Sequence, residues 1–337
     1  MDWFEKLFGF REGDYEFTRQ QFEVEGSKLR SRVNGRSYGI GELELVSLQT
    51  LRERVRDGHA RPGRLRTQIV RGDVRQMHLD PEYTGALFQG ASQFNLLEMV
   101  GPEVTPGHGI TRYEGDKTQG PACAIAAGAA TVYRNYFAPV DGESGQTRHR
   151  QLDGLADLGV SLREALGKPA TPLWEMRNGY ALCTLEGLKA IDGLLARTDD
   201  ATLDDLRGRL RIGLHRRVEV TDSSAPPGPL VSQAFCSALP VRYSNVPREH
   251  WKGFATLVLE AAYEATLLAA AENALLVGTN IVLLTRLGGG AFGNDDEWIH
   301  GAMNRALRTV VGFDLDVRLV SFGAPTTALS EMAAEYA

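Results

Sequence analysis

The sequence predicts an α/β protein whose sheet has parallel neighbours, and three observations carry that prediction. Residues 230–323 alternate strand, helix, strand, helix, strand, an order that right-handed crossovers turn into adjacent parallel strands. The run Ile281–Thr285 is β-branched and leucine-rich, and the chain reaches three consecutive glycines at Gly288–Gly290. A helical pattern follows directly, over Asp295–Val311. Strand, glycine turn and helix in that order can hold a phosphate. Glycines admit positive φ and a close backbone approach to an anion, and the helix start offers free N–H groups. In such sheets ligands sit beyond the carboxyl ends of the strands, where the 288–294 loop lies.

Trp3, Phe4, Leu7 and Phe8 fall on one face of a short helix, suited to docking on a core. Val33-Asn34-Gly35-Arg36 is a tight-turn signal between Leu29–Val33 and Ser37–Ile40. Ser47–Asp57 reads as a helix capped by Ser47. Arg66–Val70 and Gly85–Phe88 read as strands, the first followed by Gly72-Asp73-Val74 and the second by Gln89–Asn95. After a Gly/Pro-rich loop over 101–120, Pro121–Tyr136 reads as one helix crowded with alanine and glycine. Pro121 suits its first turn, where no N–H is needed. Residues 138–212 are polar, with Leu152, Leu155, Leu158 and Leu162 at helical spacing, and read as an inserted helical segment. Val231–Leu239 is the next strand, and His250–Asn273 a long helix with Phe254, Val258, Ala261, Ala265 and Leu268 on one stripe. Gly312 closes the helix at 295–311, and Val317–Phe322 is the last strand.

Composition narrows the function. The 337 residues are 43% hydrophobic and 24% charged, as in a soluble globular protein. The net charge of −6 argues against nonspecific nucleic-acid binding, which needs a basic face. The cluster Arg52, Arg54, Arg56, Arg61, Arg64 and Arg66 reads as solvated surface. Cys123, Cys183 and Cys236 are far apart and form neither a disulfide framework nor a zinc pattern, so buried thiols in a reducing compartment are expected. The short, charged start lacks the n-region and h-region expected of a signal peptide, and no uncharged run reaches the length of a bilayer span. A cytoplasmic protein that binds neither membrane nor nucleic acid is the expectation. The histidines show no metal spacing, and no metal or cofactor is called for.

The order of elements resembles the macrodomain superfamily. There a Gly-x-aromatic-Gly loop wraps the diphosphate of ADP-ribose, and Gly290-Ala-Phe-Gly-Asn294 has that form. Q-G-A-S-Q-F-N-L-L-E-M, T-Q-G-P-A-C-A, Q-A-F-C-S-A-L-P-V and L-G-G-G-A-F-G-N look like the divergent MavL-like ADP-ribosyl hydrolase branch. Two departures stand out: the Asn loop lacks a glycine run after it, and three glycines followed by paired glutamates are absent from their usual place. The resemblance implies a three-layer α/β/α mixed sheet. Its macrodomain-like domain would span 66–325 with a helical insertion at about 138–212, an N-terminal extension over 1–65 packed on it, and a C-terminal tail over 326–337.

The resemblance also implies ADP-ribose contacts. The diphosphate falls to Gly288, Gly289, Gly290, Ala291, Gly293 and Asn294, with Phe292 over the distal ribose. Gln93 and Asn95 would serve the distal ribose, and Thr118, Gln119 and Gly120 would present a helix start. Asp73 would accept from adenine, and Phe322 would stack on it. Cleaving a glycosidic bond at the anomeric carbon calls for carboxyl groups. Asp116 is the first candidate, because a Gly-rich loop gives it no obvious structural task; Asp295 and Glu98 follow. The leading expectation is a hydrolase that removes ADP-ribose from modified protein side chains, above all arginine. The alternative is a non-catalytic ADP-ribose or NAD-metabolite module. Gly288, Gly290 and Gly293 also satisfy G-x-G-x-x-G, but too little chain follows them to complete a dinucleotide fold.

Overall fold

In the computed structural model, which describes residues 1–168 and 170–337, seven strands form one mixed sheet. They are β1 (Glu42–Ser47), β2 (Leu65–Arg71), β3 (Leu87–Ala91), β4 (Arg211–Glu219), β5 (Leu230–Cys236), β6 (Ile281–Leu284) and β7 (Leu315–Ser321). Their spatial order is β1-β4-β5-β3-β6-β7-β2. From β5 to β2 every pairing is parallel. β4 is antiparallel to both of its neighbours. The carboxyl ends of β3, β6, β7 and β2 therefore share one edge of the sheet, and the cleft opens there.

The side-chain period of two sorts the apolar residues onto two faces. Leu87, Val282 and Leu284 join the larger core. Phe88, Leu283 and Val231 point the other way, onto Cys123, Ala127 and Ala130. The first face carries α1 (Leu48–Arg56), α4 (Lys252–Val277) and α5 (Asp296–Thr309), and the second α2 (Gln119–Ala126) and α3 (Gly128–Tyr136). This is the expected three-layer arrangement. α4 is apolar and long enough to cross a membrane by composition, yet 89% of its apolar window is buried inside the fold. Its acidic residues are accounted for: Glu264 pairs with Arg52 and Arg305 and Glu260 with Arg207, each at 2.6 Å, and Glu272 pairs with Arg216. Arg52 and Arg54, read from the sequence as solvated surface, are instead largely covered and ion-paired, Arg54 with Glu44 at 2.5 Å.

The structure redraws several boundaries. β1 and α1 belong to the sheet and its first layer, so the N-terminal extension ends near Gly41 rather than at 65. Within it, the Asn34-Gly35 turn joins Lys28–Ser31 to Ser37–Gly39, and Phe22–Glu25 adds a third strand. The tail over 326–337 contains a helix, Thr327–Glu335, that buries Met332 and Ala333 against the main core. The insertion is not wholly helical, because it contains the hairpin Trp174–Arg177 with Tyr180–Cys183. The helix expected over Pro121–Tyr136 breaks at Ala127, whose φ of −115° and ψ of 60° are not helical. Thr221 enters the break: its N–H donates to the Ala126 carbonyl at 2.8 Å, and its hydroxyl accepts from the Gly128 N–H at 2.8 Å. All three cysteines are buried and unbridged.

Candidate functional site

β6 runs into Thr285, Arg286 and the glycine loop. Gly288 (φ +74°) and Gly293 (φ +72°) take the left-handed conformation that a side chain resists. A Cβ on Gly293 would overlap the Arg242 side chain. Three guanidinium groups hold the loop by its carbonyls. Arg286 donates to Gly289 O at 3.0 Å, Arg242 to Gly290 O at 3.2 Å and Arg248 to Gly293 O at 2.7 Å. Arg248 and Arg286 are partly offset by Asp295 and Asp296. Among the described residues, the N–H groups of Gly290, Ala291 and Phe292 have no protein acceptor, and all three residues line the cleft. Unspent donors backed by cations are the electrostatics an anion requires.

The opposite wall is built from β3 and α2. Gln119 fastens the start of α2 to the end of β3: its Oε1 accepts from Ala91 N at 2.9 Å, and its Nε2 donates to Gln89 O at 2.7 Å. Thr118 precedes the helix but makes no side-chain capping bond. Gly120 packs so closely that a Cβ there would overlap both Glu98 Oε2 and the Ala91 carbonyl. Glu98 is thus pressed against the first turn of α2 with only 5% of its surface exposed. Its Oε1 is buried and, among the described residues, has no hydrogen-bond partner. Burial pushes its carboxyl well above the usual carboxylate range; the Arg134 charge opposes this and Asp116 reinforces it.

A tight turn aims Glu98. Leu96 sits at φ +65°, a strained setting for a leucine, and Asn95 Oδ1 accepts from Leu97 N at 3.1 Å. Arg134 anchors the same turn, with Nε donating to Leu96 O at 3.2 Å. This arginine is fully buried over the face of Phe235, 3.8 Å from the ring centroid. Burial lowers its pKa to about 10, so it stays a cation behind Glu98 at neutral pH. Asp116 stands at the mouth, half-buried, and accepts from Thr118 N at 2.8 Å.

The cleft has two connected parts. The inner part, about 150 Å³, is lined by Glu98, Gln93, Gly120, Gly288, Ala291, Phe292 and the buried Tyr180. The outer part, about 590 Å³, is lined by Asp73, Arg75, His300 and Phe322. Asp116, Thr118, Gln119, Thr285, Arg286 and Gly290 line both. Phe322 is 86% exposed at the outer rim. Asp73 accepts from Arg75 N at 2.9 Å and caps a short helix. Around Phe292, Tyr180 and Tyr243 form an aromatic wall, with ring centroids 5.4 Å and 5.7 Å from Phe292.

Five residues expected at the site do not line it. Asn95 is fully buried, and its amide is spent on Leu97 N and on Gln151 Oε1 at 2.9 Å, so it shapes the turn and fastens the insertion. Gly289 and Gly293 take part through the carbonyls that the arginines hold. Asn294 turns inward, with Nδ2 donating to Leu239 O at 2.8 Å. Asp295 caps α5, accepting from Glu297 N at 3.1 Å, and pairs with Arg248 at 3.3 Å. Gln93 does line the cleft, but its amide is committed to Met99, accepting from N at 2.8 Å and donating to O at 3.2 Å. Sequence reasoning passed over Arg286, although it stands between the strand and the glycines. It also passed over Tyr180 and Tyr243, which carry no local signal because the insertion and the loop after β5 bring them in.

No protein-family model and no curated protein matches the chain. Among solved structures, a poly(ADP-ribose) glycohydrolase from Thermomonospora curvata is similar at 13% identity and a TM-score of 0.45, covering 95% of each chain. One from Deinococcus radiodurans, in complex with ADP-ribose, is similar at 12% identity and a TM-score of 0.44, covering 87% of this chain and 93% of that one. The site described above stands on its own residues.

Proposed function

We propose that the protein hydrolyses the bond between ADP-ribose and a modified protein side chain, with arginine the preferred attachment. The observation that supports hydrolysis is Glu98: a buried carboxyl with an oxygen unpartnered among the described residues, lining a cleft whose other wall is the glycine loop; the arginine preference follows from the sequence resemblance alone. A module that only bound ADP-ribose would gain nothing from a carboxyl held against its own solvation. The diphosphate would bridge the Gly290–Phe292 amides and the start of α2, the adenosine would extend toward Asp73 and Phe322, and the distal ribose would enter beside Phe292 and Glu98. A cytoplasmic location is part of the same proposal.

The chemistry follows from the two carboxyl groups. Glu98, whose carboxyl burial shifts toward the protonated form, gives its proton to the leaving atom as the bond to the anomeric carbon breaks. For arginine that atom is a guanidino nitrogen of a group already cationic at neutral pH, and with the added proton the side chain departs as its ordinary guanidinium cation. Positive charge builds on the ribose and is stabilised by the nearby carboxylates. Asp116 takes a proton from the incoming water, whose oxygen bonds to the anomeric carbon. The direct test is incubation with radiolabelled ADP-ribosylated proteins of arginine, acidic and serine linkage. Release from the arginine linkage is expected. Release from another linkage alone overturns the preference, and tight ADP-ribose binding in calorimetry with no release at all selects a non-catalytic module.

A further inference from the structure

We propose that Glu12, in the N-terminal segment and outside the cleft, is the positioning residue that sets the geometry of both carboxyl groups. This role rests on the hydrolytic reading of the cleft. The helix Trp3–Phe8 docks through Trp3, Phe4 and Phe8, and Trp3 Nε1 donates to Thr111 O at 3.2 Å. Beyond it, the Glu12 carboxylate collects three donors. The Ile110 N–H reaches both of its oxygens at 2.9 Å, the Thr111 N–H reaches Oε2 at 2.7 Å, and the Tyr136 hydroxyl donates to Oε1 at 2.7 Å. Gly109 lets the carboxylate in: it sits at φ +79°, and a Cβ there would lie 2.5 Å from Glu12 Cδ.

The clamped segment leads directly to the site. Tyr113 N donates to Ile110 O at 3.1 Å, and Asp116 N to Tyr113 O at 3.1 Å, so one short turn runs from the clamp to Asp116. The buried Tyr113 also faces the other acid, its phenol oxygen accepting from Glu98 N at 2.9 Å. Glu98 and Asp116 thus hang from the same turn, and Glu12 fixes that turn from behind. The contacts form one wall only, because the glycine loop is held independently by Arg242, Arg248 and Arg286. The two walls can therefore be perturbed separately.

The experiment uses the full chain. Glu12→Ala is expected to lower kcat on the order of 10-fold to 100-fold, the loss that an ångström of misplacement brings, with KM and ADP-ribose affinity within about threefold. Glu12→Gln, which keeps one carbonyl acceptor, should fall between it and wild type. Tyr136→Phe removes one donor and leaves the clamp on Ile110 and Thr111, so a loss of only about twofold to threefold is expected. It also reports on the clamp if Glu12→Ala does not fold. Amide exchange should rise at Ile110, Thr111 and Asp116 in Glu12→Gln and stay unchanged in the glycine loop. Wild-type kcat in the folded Glu12 variants, or a rise in KM at constant kcat, overturns the proposal. If wild type binds ADP-ribose and releases none from any linkage, hydrolysis fails by itself. The clamp is then decided by exchange, and unchanged protection at Ile110 and Thr111 overturns it.

Discussion

The two walls of the cleft work by different physics. The glycine-loop wall presents backbone: unspent N–H groups at Gly290, Ala291 and Phe292, with guanidinium groups behind them. The α2 wall presents a side chain, Glu98, whose value lies in being desolvated. The first wall needs glycine at the left-handed positions and one distant segment, which brings Arg242 and Arg248 onto the loop carbonyls. The second needs three further segments, carrying Tyr113, Gly120 and Arg134, to converge on the Leu96 turn. The glycine-loop wall is thereby written mostly in one stretch of chain, and the Glu98 wall only in the folded molecule.

The sharpest way to break this comparison is Glu98→Gln. The shape of the α2 wall is retained and the acid is lost. Turnover should fall by about 10²- to 10⁴-fold, with ADP-ribose affinity nearly unchanged by calorimetry. Stability should move the opposite way. Glu98 is held above its ordinary value of 4.5 in the folded chain. The unfolded chain therefore releases this proton first. Its unfavourable contribution is absent below pH 4.5, grows as pH rises toward the folded value, and is constant above it. Denaturant titrations should show the wild type losing up to about 1.4 kcal/mol per pH unit across that window relative to Glu98→Gln. A parallel pH dependence in the two proteins would show that Glu98 is ionised in the fold. The next effect is Gly120→Ala, whose methyl would overlap Glu98 Oε2 and the Ala91 carbonyl. It should cost about 1–3 kcal/mol of stability and about tenfold or more in kcat. A variant with normal kcat would mean that the acid tolerates displacement.

The same contrast explains what the sequence made legible. Ile281–Leu284, the glycines and α5 are adjacent in the chain, so hydrophobic run, turn residues and helix start report on one another. Asp73, Thr118, Gly290 and Phe322 line the cleft because each follows a strand or precedes a helix at one edge of the sheet. Glu98 stood last among the candidate acids, because its desolvation comes from contacts that no local pattern encodes. Asn95 misled for a related reason. An asparagine after a strand can serve a ligand or its own turn, and only the partner Gln151, fifty-six residues away, decides for the turn. Asp295 satisfied the simplest rule for a residue before a helix, capping it. β1 was hidden in the extension because its half-buried alternation becomes meaningful only once β4 lies beside it.

Within the glycine-loop wall, two neighbouring substitutions sharpen the distinction between holding a shape and holding a ligand. Gly288→Ala meets both a left-handed backbone and the Ala238 side chain. It should destabilise the fold by about 1–2 kcal/mol. Gly290→Ala meets none of the described residues within 4 Å, so stability should hold within about 0.5 kcal/mol. Its methyl enters the space assigned to the diphosphate, and ADP-ribose affinity should weaken about tenfold. Equal affinities for Gly290→Ala and wild type would move the phosphates elsewhere.

The smallest effect is expected farthest from Glu98. Phe322 is 86% exposed, so Phe322→Ala removes almost no core and should leave the melting temperature unchanged. Should its ring stack on a base, that contact contributes about 0.5–1.5 kcal/mol, and ADP-ribose affinity falls by about twofold to tenfold. The decisive comparison is with ribose 5-phosphate, which lacks the base. Its affinity should be the same in both proteins. A loss shared by both ligands would place Phe322 in loop packing rather than at a base. A loss confined to ADP-ribose would orient the ligand along the cleft, with its base at the exposed rim and its reacting carbon beside the buried acid.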